Sequence, residues 1–182
     1  MELIKAYFRK MKGGAPAPGK VPFWVVVWSW IGAFLGIALV GFLHQFFLAE
    51  RELVMIIGSF GATAVLIYGA VESPLAQPRN LLGGHVISGF IGVLSYNLLG
   101  THFWLAGAVA VATAIAVMHL TGTLHPPGGA TALIAVIGGP KIHALGFLYP
   151  ILPVATGALI MLVVALLVNN IPDGRKYPLH WF

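Results

Sequence analysis

From Asn80 to Pro140 the chain carries no Lys, Arg, Asp or Glu. A soluble domain cannot leave so long a run uncharged, because its surface is covered largely by such side chains. Over the whole sequence only 8% of residues are charged and 59% are hydrophobic, against roughly a quarter charged in soluble domains. The chain therefore reads as an integral membrane protein, and its length suits one membrane domain. A bilayer core takes about 20 apolar residues per helix. On that ruler six hydrophobic segments stand out, roughly 22–48, 53–71, 81–99, 103–121, 128–139 and 145–170. The expected fold class is all-α, with four to six crossings.

Two of these segments are unlike the rest. The fifth is too short to cross alone, and the second is interrupted by Gly58-Ser59-Phe60-Gly61. The fifth opens at His125-Pro126-Pro127-Gly128-Gly129-Ala130-Thr131-Ala132, where paired prolines and glycines must break any helix arriving from upstream. The apolar residues from Ala130 to Val136 then start a new helix whose first N–H groups lack intrahelical partners. Short or interrupted segments in matching places point to discontinuous helices.

The matching is visible as a repeat. Phe60-Gly61-Ala62-Thr63-Ala64 resembles Gly128-Gly129-Ala130-Thr131-Ala132 at an offset of 68, and Val86-Ile87-Ser88-Gly89 falls on Val154-Ala155-Thr156-Gly157 at the same offset. Two units, about 22–99 and 100–170, would each hold three segments. An odd number per unit inverts the second relative to the first. The expectation is an inverted three-plus-three repeat with two broken or half helices that enter from opposite faces.

The flanks orient the chain. Residues 1–21 form a basic tail with Lys5, Arg9, Lys10, Lys12 and Lys20, and 171–182 a second tail with Arg175 and Lys176. With six crossings both tails share a side with Arg79, while Arg51 and Lys141 lie opposite. The positive-inside rule then places both termini in the cytoplasm, and a bacterial inner membrane is the expected location. The first dozen residues also fit a basic amphipathic helix lying on an anionic membrane surface. Trp24, Trp28 and Trp30 begin the first segment as an interfacial belt.

Converging helix starts favour a small anion, since each carries free N–H donors and about half a positive charge. Ser59, Gly61, Thr63, His125, Gly128, Gly129 and Thr131 are the candidate binding residues. Arg79, His85 and His119 are candidates for the approach and its gating, since ionisable groups in or beside membrane segments are functional candidates. Gly32, Gly36, Gly89, Gly92 and Gly157 read instead as helix-packing positions. The chain has no cysteine, and no paired carboxylates, nucleophile with a base, or phosphate loop. Neither enzymatic activity nor a cofactor or metal is expected, and the basic balance serves topology rather than nucleic acid.

His125-Pro126-Pro127 with the following Gly-Gly-Ala-Thr-Ala, together with Gln77-Pro78-Arg79-Asn80 and Gly84-His85, resembles the HPP family of small integral membrane proteins. The resemblance covers about residues 22–170. It implies four membrane helices and, from members in plastids and cyanobacteria, transport of nitrite. The rival readings are a membrane-embedded structural or signalling partner without transport, and a haem or metal protein. For a bundle this small, association into homodimers is expected.

Overall fold

The computed structural model describes residues 2–17, 19–48 and 53–182, and the expected topological role of Arg51 lies outside them. The described residues are helical with no strand. An amphipathic helix α1 (Glu2–Lys10) precedes α2 (Phe23–Leu43), which runs on as a π turn to Leu48. Next come α3 (Ser59–Ala64, continued by a π turn to Gly69), α4 (Pro78–Leu99) and α5 (Phe103–Thr121). The chain closes with α6 (Pro126–Ile137), α7 (Pro140–Leu145) and α8 (Thr156–Val168), the last led in by Pro150–Ala155.

Breakers place the ends of these helices. Pro78 and Pro126 each stand at the first helical position, where a missing N–H costs nothing and the fixed φ is already helical. Gly122 ends α5 in the left-handed region at φ +64°, as a residue without Cβ can. Gly139, at φ +79°, turns the chain between α6 and α7, which meet at 96°.

Four helical stretches are long and apolar enough to cross a membrane: Phe23–Leu48, Pro78–Leu99, Phe103–Thr121 and Pro150–Val168. Counting the bent pair Pro126–Ile137 and Pro140–Leu148 as one span makes five. The six hydrophobic segments are thus all present, but two are not full helices. The second becomes a non-helical stretch followed by Ser59–Gly69, and the fifth becomes the 12 residues of α6. At 1.5 Å per residue α6 is roughly 18 Å long, well short of a bilayer core of about 30 Å.

Both ends of the bundle are tied. At one end the Arg175 guanidinium donates to Val25 O (2.9 Å), Ser29 Oγ (2.8 Å) and Tyr68 O (3.2 Å), joining the C-terminal tail to the start of α2 and the end of α3. At the same end Tyr177 Oη donates to Ala76 O (2.8 Å), and the Leu179 N–H donates to Gln77 Oε1 (2.8 Å). Asn80 Nδ2 donates to Leu124 O (2.9 Å) and Arg79 Nη2 to Thr121 O (2.6 Å). At the other end Tyr96 stacks on His143 at 3.8 Å. The two tails therefore leave the bundle on one side.

The interior follows small residues. Gly32 and Gly36 give room to the Tyr68 ring, which a Cβ at either position would meet within 2.5 Å. Gly157 does the same for Phe60. Along α4, Gly84, Ser88 and Gly92 make one narrow face at i, i+4 spacing, and α6 lies directly on it. α5 packs beside α4 as α2 packs beside α8, the exchange of partners that a two-fold pseudo-repeat requires.

Candidate functional site

The short α3 and α6 run side by side in opposite directions. Ser59, at the start of α3, meets Thr131, and Thr63 one turn later meets His125 at the start of α6. Antiparallel order follows from those two contacts alone, because the numbering rises in one helix as it falls in the other. Each helix thus begins beside the body of its neighbour. The two starts do not converge as expected from the sequence: they face opposite ways across an overlap of about one turn. The Phe60, Gly61 and Gly128 N–H groups are already bonded to Ile57 O, Gly58 O and His125 O, and Pro126 and Pro127 have no N–H.

His85 fills the space between them. Two turns into α4, its ring lies between the two threonines, with Nε2 at 2.7 Å from Thr63 Oγ1 and Nδ1 at 2.7 Å from Thr131 Oγ1. Thr131 Oγ1 is also 2.9 Å from Ser59 Oγ and 3.3 Å from Pro127 O, while Thr63 Oγ1 is 3.1 Å from Ser59 O. His125 Nδ1 donates to Leu75 O at 2.9 Å, since a carbonyl can only accept, and its Nε2 stands 3.4 Å from Thr63 Oγ1. The two imidazoles lie 4.8 Å apart, and the Phe60 ring closes over His85 edge-on at 5.6 Å.

All five polar residues of this cluster are fully buried. A polar group held away from water costs free energy unless it is hydrogen-bonded. Here the account is complete, for among the described residues no buried side-chain nitrogen or oxygen lacks a partner. Among the same residues no Lys, Arg, Asp or Glu is buried. The centre is a hydrogen-bonded knot of hydroxyls and imidazoles without a permanently charged side chain.

Close backbone approach makes the knot possible. A Cβ on Gly84 would stand 2.5 Å from His125 Cβ and 2.8 Å from Thr123 O. One on Gly128 would meet Gly84 O and Ser88 Oγ at 2.8 Å. The loop bearing Leu75 is held in turn by Gln77, whose Nε2 donates to Val71 O and Ser73 O, and by Tyr177. Burial there holds the Tyr177 phenol above its ordinary range.

Ser59, Thr63, His85, His125 and Thr131 are therefore brought together, with Gly128 as the spacer that seats α6 on α4. The other candidates stand elsewhere. Gly61 is exposed with nothing near it, because two residues along a helix turns a position to the far side from Ser59 and Thr63. Gly129 and His119 both border an apolar groove between α5 and α6. Arg79 is exposed and spends its guanidinium on the C-terminal carbonyl of α5. Leu75 O, Phe60 and Tyr149, whose hydroxyl donates to Thr131 O at 3.0 Å, belong to the cluster and were not singled out from the sequence. A buried tyrosine needs an acceptor, which is the signal that marks Tyr149.

Comparison with known proteins agrees with this architecture. A transmembrane protein of Dictyostelium discoideum is 46% identical over 179 residues, 97% of this chain and 57% of the relative. A second from the same organism is 42% identical over 184 residues, 98% of this chain and 64% of the relative. The chain thus spans less than two thirds of the length of either. No solved structure matches it. The family described as HPP, transmembrane region, matches residues 18–178, from ahead of α2 to beyond the Tyr177 anchor, and with the whole bundle inside that match the chain belongs to the HPP transmembrane family.

Proposed function

We infer that this protein carries a small monovalent anion across the membrane, nitrite first, through the overlap of α3 and α6. The observation that carries the reading is the buried meeting of Ser59, Thr63 and Thr131 at two broken helices around one imidazole. Discontinuous helices overlapping within a bundle are where transporters bind solutes, because only there does unpaired backbone reach the membrane interior. The hydroxyls of Ser59, Thr63 and Thr131 and the ring of His85 supply the donors. A small planar oxyanion with two acceptor oxygens suits that donor set. Resemblance to HPP proteins of plastids and cyanobacteria points to nitrite among such anions.

Most of the described basic residues lie at the end shared by Arg79, Arg175 and the two tails, with Lys141 at the other, and the positive-inside rule turns the richer end to the cytoplasm. The cluster is sealed from both sides, so passage requires the units to move and open it alternately. The same sealing favours the second reading, a structural or signalling partner that moves nothing. Uptake of nitrite into vesicles holding the purified protein separates them. Saturable uptake above protein-free vesicles, lost in Thr131→Val, supports the anion site. No saturable uptake by folded protein favours the partner.

A further inference from the structure

We propose that the anion crosses together with one proton, in an electroneutral step, and that His85 carries that proton. The inference deepens the anion-transport reading and rests on it. Its first ground is charge. A monoanion drawn into the membrane interior without a counter-charge bears a desolvation cost of several kcal/mol. Among the described residues every Lys, Arg, Asp and Glu is at least partly exposed, so no fixed cation meets an anion at Thr63 and Thr131. Of the buried ionisable side chains, Tyr68, Tyr149 and Tyr177 are phenols that never become cationic, and His85 and His125 remain. Only an imidazolium supplies positive charge there.

The second ground is geometric. A neutral imidazole donates from one nitrogen and accepts at the other, so one of the two threonines must turn its hydroxyl proton toward His85. An imidazolium donates from both nitrogens, and each threonine must then send its proton elsewhere. Both have somewhere to send it. Thr63 Oγ1 lies 3.1 Å from Ser59 O, and Thr131 Oγ1 lies 2.9 Å from Ser59 Oγ and 3.3 Å from Pro127 O. His85 can gain or lose a proton with both of its own hydrogen bonds kept, needing only the rotation of one threonine hydroxyl. Two of those acceptors, Ser59 O and Pro127 O, are the i−4 carbonyls within reach of any helical threonine, and here they leave both nitrogens of His85 free to donate.

A feeder adjoins it. With its Nδ1–H fixed on Leu75 O, His125 takes an incoming proton at Nε2, which faces Thr63 Oγ1 at 3.4 Å. Transfer then balances: His125 Nε2 gives a proton to Thr63 Oγ1 as Thr63 gives its own to His85 Nε2, leaving His125 neutral and His85 cationic. The ring centroids are 4.8 Å apart, so two charges would repel and the pair holds one proton at a time. Among the described residues no other titratable group faces the ring. α3 offers Phe60 and Thr63, α5 offers Met118 to the Gly84 and Gly128 contact, and the Tyr149 hydroxyl is engaged with Thr131 O.

The test uses the full chain in proteoliposomes containing a pH-sensitive dye, with nitrite outside and protein-free vesicles subtracted for leak of the undissociated acid. The expected result is nitrite uptake accelerated by an inward proton gradient, accompanied by one proton per nitrite, at a rate unchanged by an imposed potassium-diffusion potential. His85→Gln, which keeps one donor and one acceptor on the side chain, loses both the proton and the uptake. Uptake that follows the potential without internal acidification overturns the coupling while leaving anion transport standing. No saturable uptake of nitrite, nitrate, formate or chloride overturns both. Proton-coupled uptake persisting in His85→Gln takes the proton away from His85 and overturns the assignment. Should His85→Gln fail to fold, the response of the unmodified protein to potential and pH gradient decides the coupling, and a nitrite-induced imidazolium signal from His85 in nitrogen-15 NMR decides the carrier.

Discussion

Ser59 and Thr131, 72 positions apart, meet hydroxyl to hydroxyl at 2.9 Å in the buried centre of the bundle. The contact joins the start of one broken helix to the body of the other. It fixes how far α3 and α6 overlap, and with that the space in which His85 sits.

Replacing Thr63 or Thr131 by Val removes the hydroxyl but keeps the shape. A nitrogen of His85 is then left without its partner in a buried site, at a cost of about 1–3 kcal/mol. Uptake of nitrite falls to the protein-free rate in each variant while helicity by circular dichroism is retained. Uptake undiminished in both would remove the cluster from the transport path.

Gly84→Ala tests the close approach of α4 and α6. The new methyl meets His125 Cβ and a backbone carbonyl, so packing must shift at a cost of about 1–3 kcal/mol. Gly61→Ala, a helical position with nothing within 4 Å, is neutral or stabilising, by up to about 1 kcal/mol. Thermal unfolding of both variants in one detergent compares them directly, and equal midpoints would contradict the packing described.

Arg175→Lys probes the clamp on the C-terminal tail. Two guanidinium nitrogens serve Val25 O, Ser29 Oγ, Tyr68 O and Asn169 Oδ1, a fork that a single ammonium cannot reproduce. Arg175 is only partly buried, so the loss is set at about 1 kcal/mol. Limited proteolysis is the readout: cleavage after Lys176 becomes faster than in the unmodified chain. An unchanged cleavage rate would show that the tail is held by Tyr177 and Leu179 alone.

Arg79→Gln separates anchoring from conduction. The guanidinium caps Thr121 O at the end of α5 and does not reach the cluster. Nitrite uptake is therefore retained, with a stability loss of about 1 kcal/mol from the missing cap. Uptake abolished in a folded Arg79→Gln protein would place this side chain on the path after all.

Much of this arrangement could be read from residue order. Pro126-Pro127 and the glycines around Ser59 mark both helix starts, because breakers act locally and need no tertiary context. The shared Gly-Ala-Thr-Ala identified Thr63 and Thr131 as equivalent. Helical period alone already separates Gly61 from Ser59 and Thr63, and turns Gly129 away from Thr131. His85 was visible only as an ionisable residue near a membrane segment. Its partners lie 22 and 46 positions away, and no local pattern encodes a contact of that range. Arg79 shows the opposite difficulty, since a cation next to an apolar segment looks the same in sequence whether it guards a path or caps a helix.

The duplication stops short of the ring. At the offset of 68 that relates Thr63 to Thr131, His85 corresponds to Pro153, so the second unit has no imidazole to return. A single flat ring thus spans equivalent positions of two units, one nitrogen assigned to each. Since His85 and Thr63 share the first unit, sliding of one unit past the other stretches the bond from Nδ1 to Thr131. The ring is fastened to its own half through Nε2 and feels the position of the other half through Nδ1 alone.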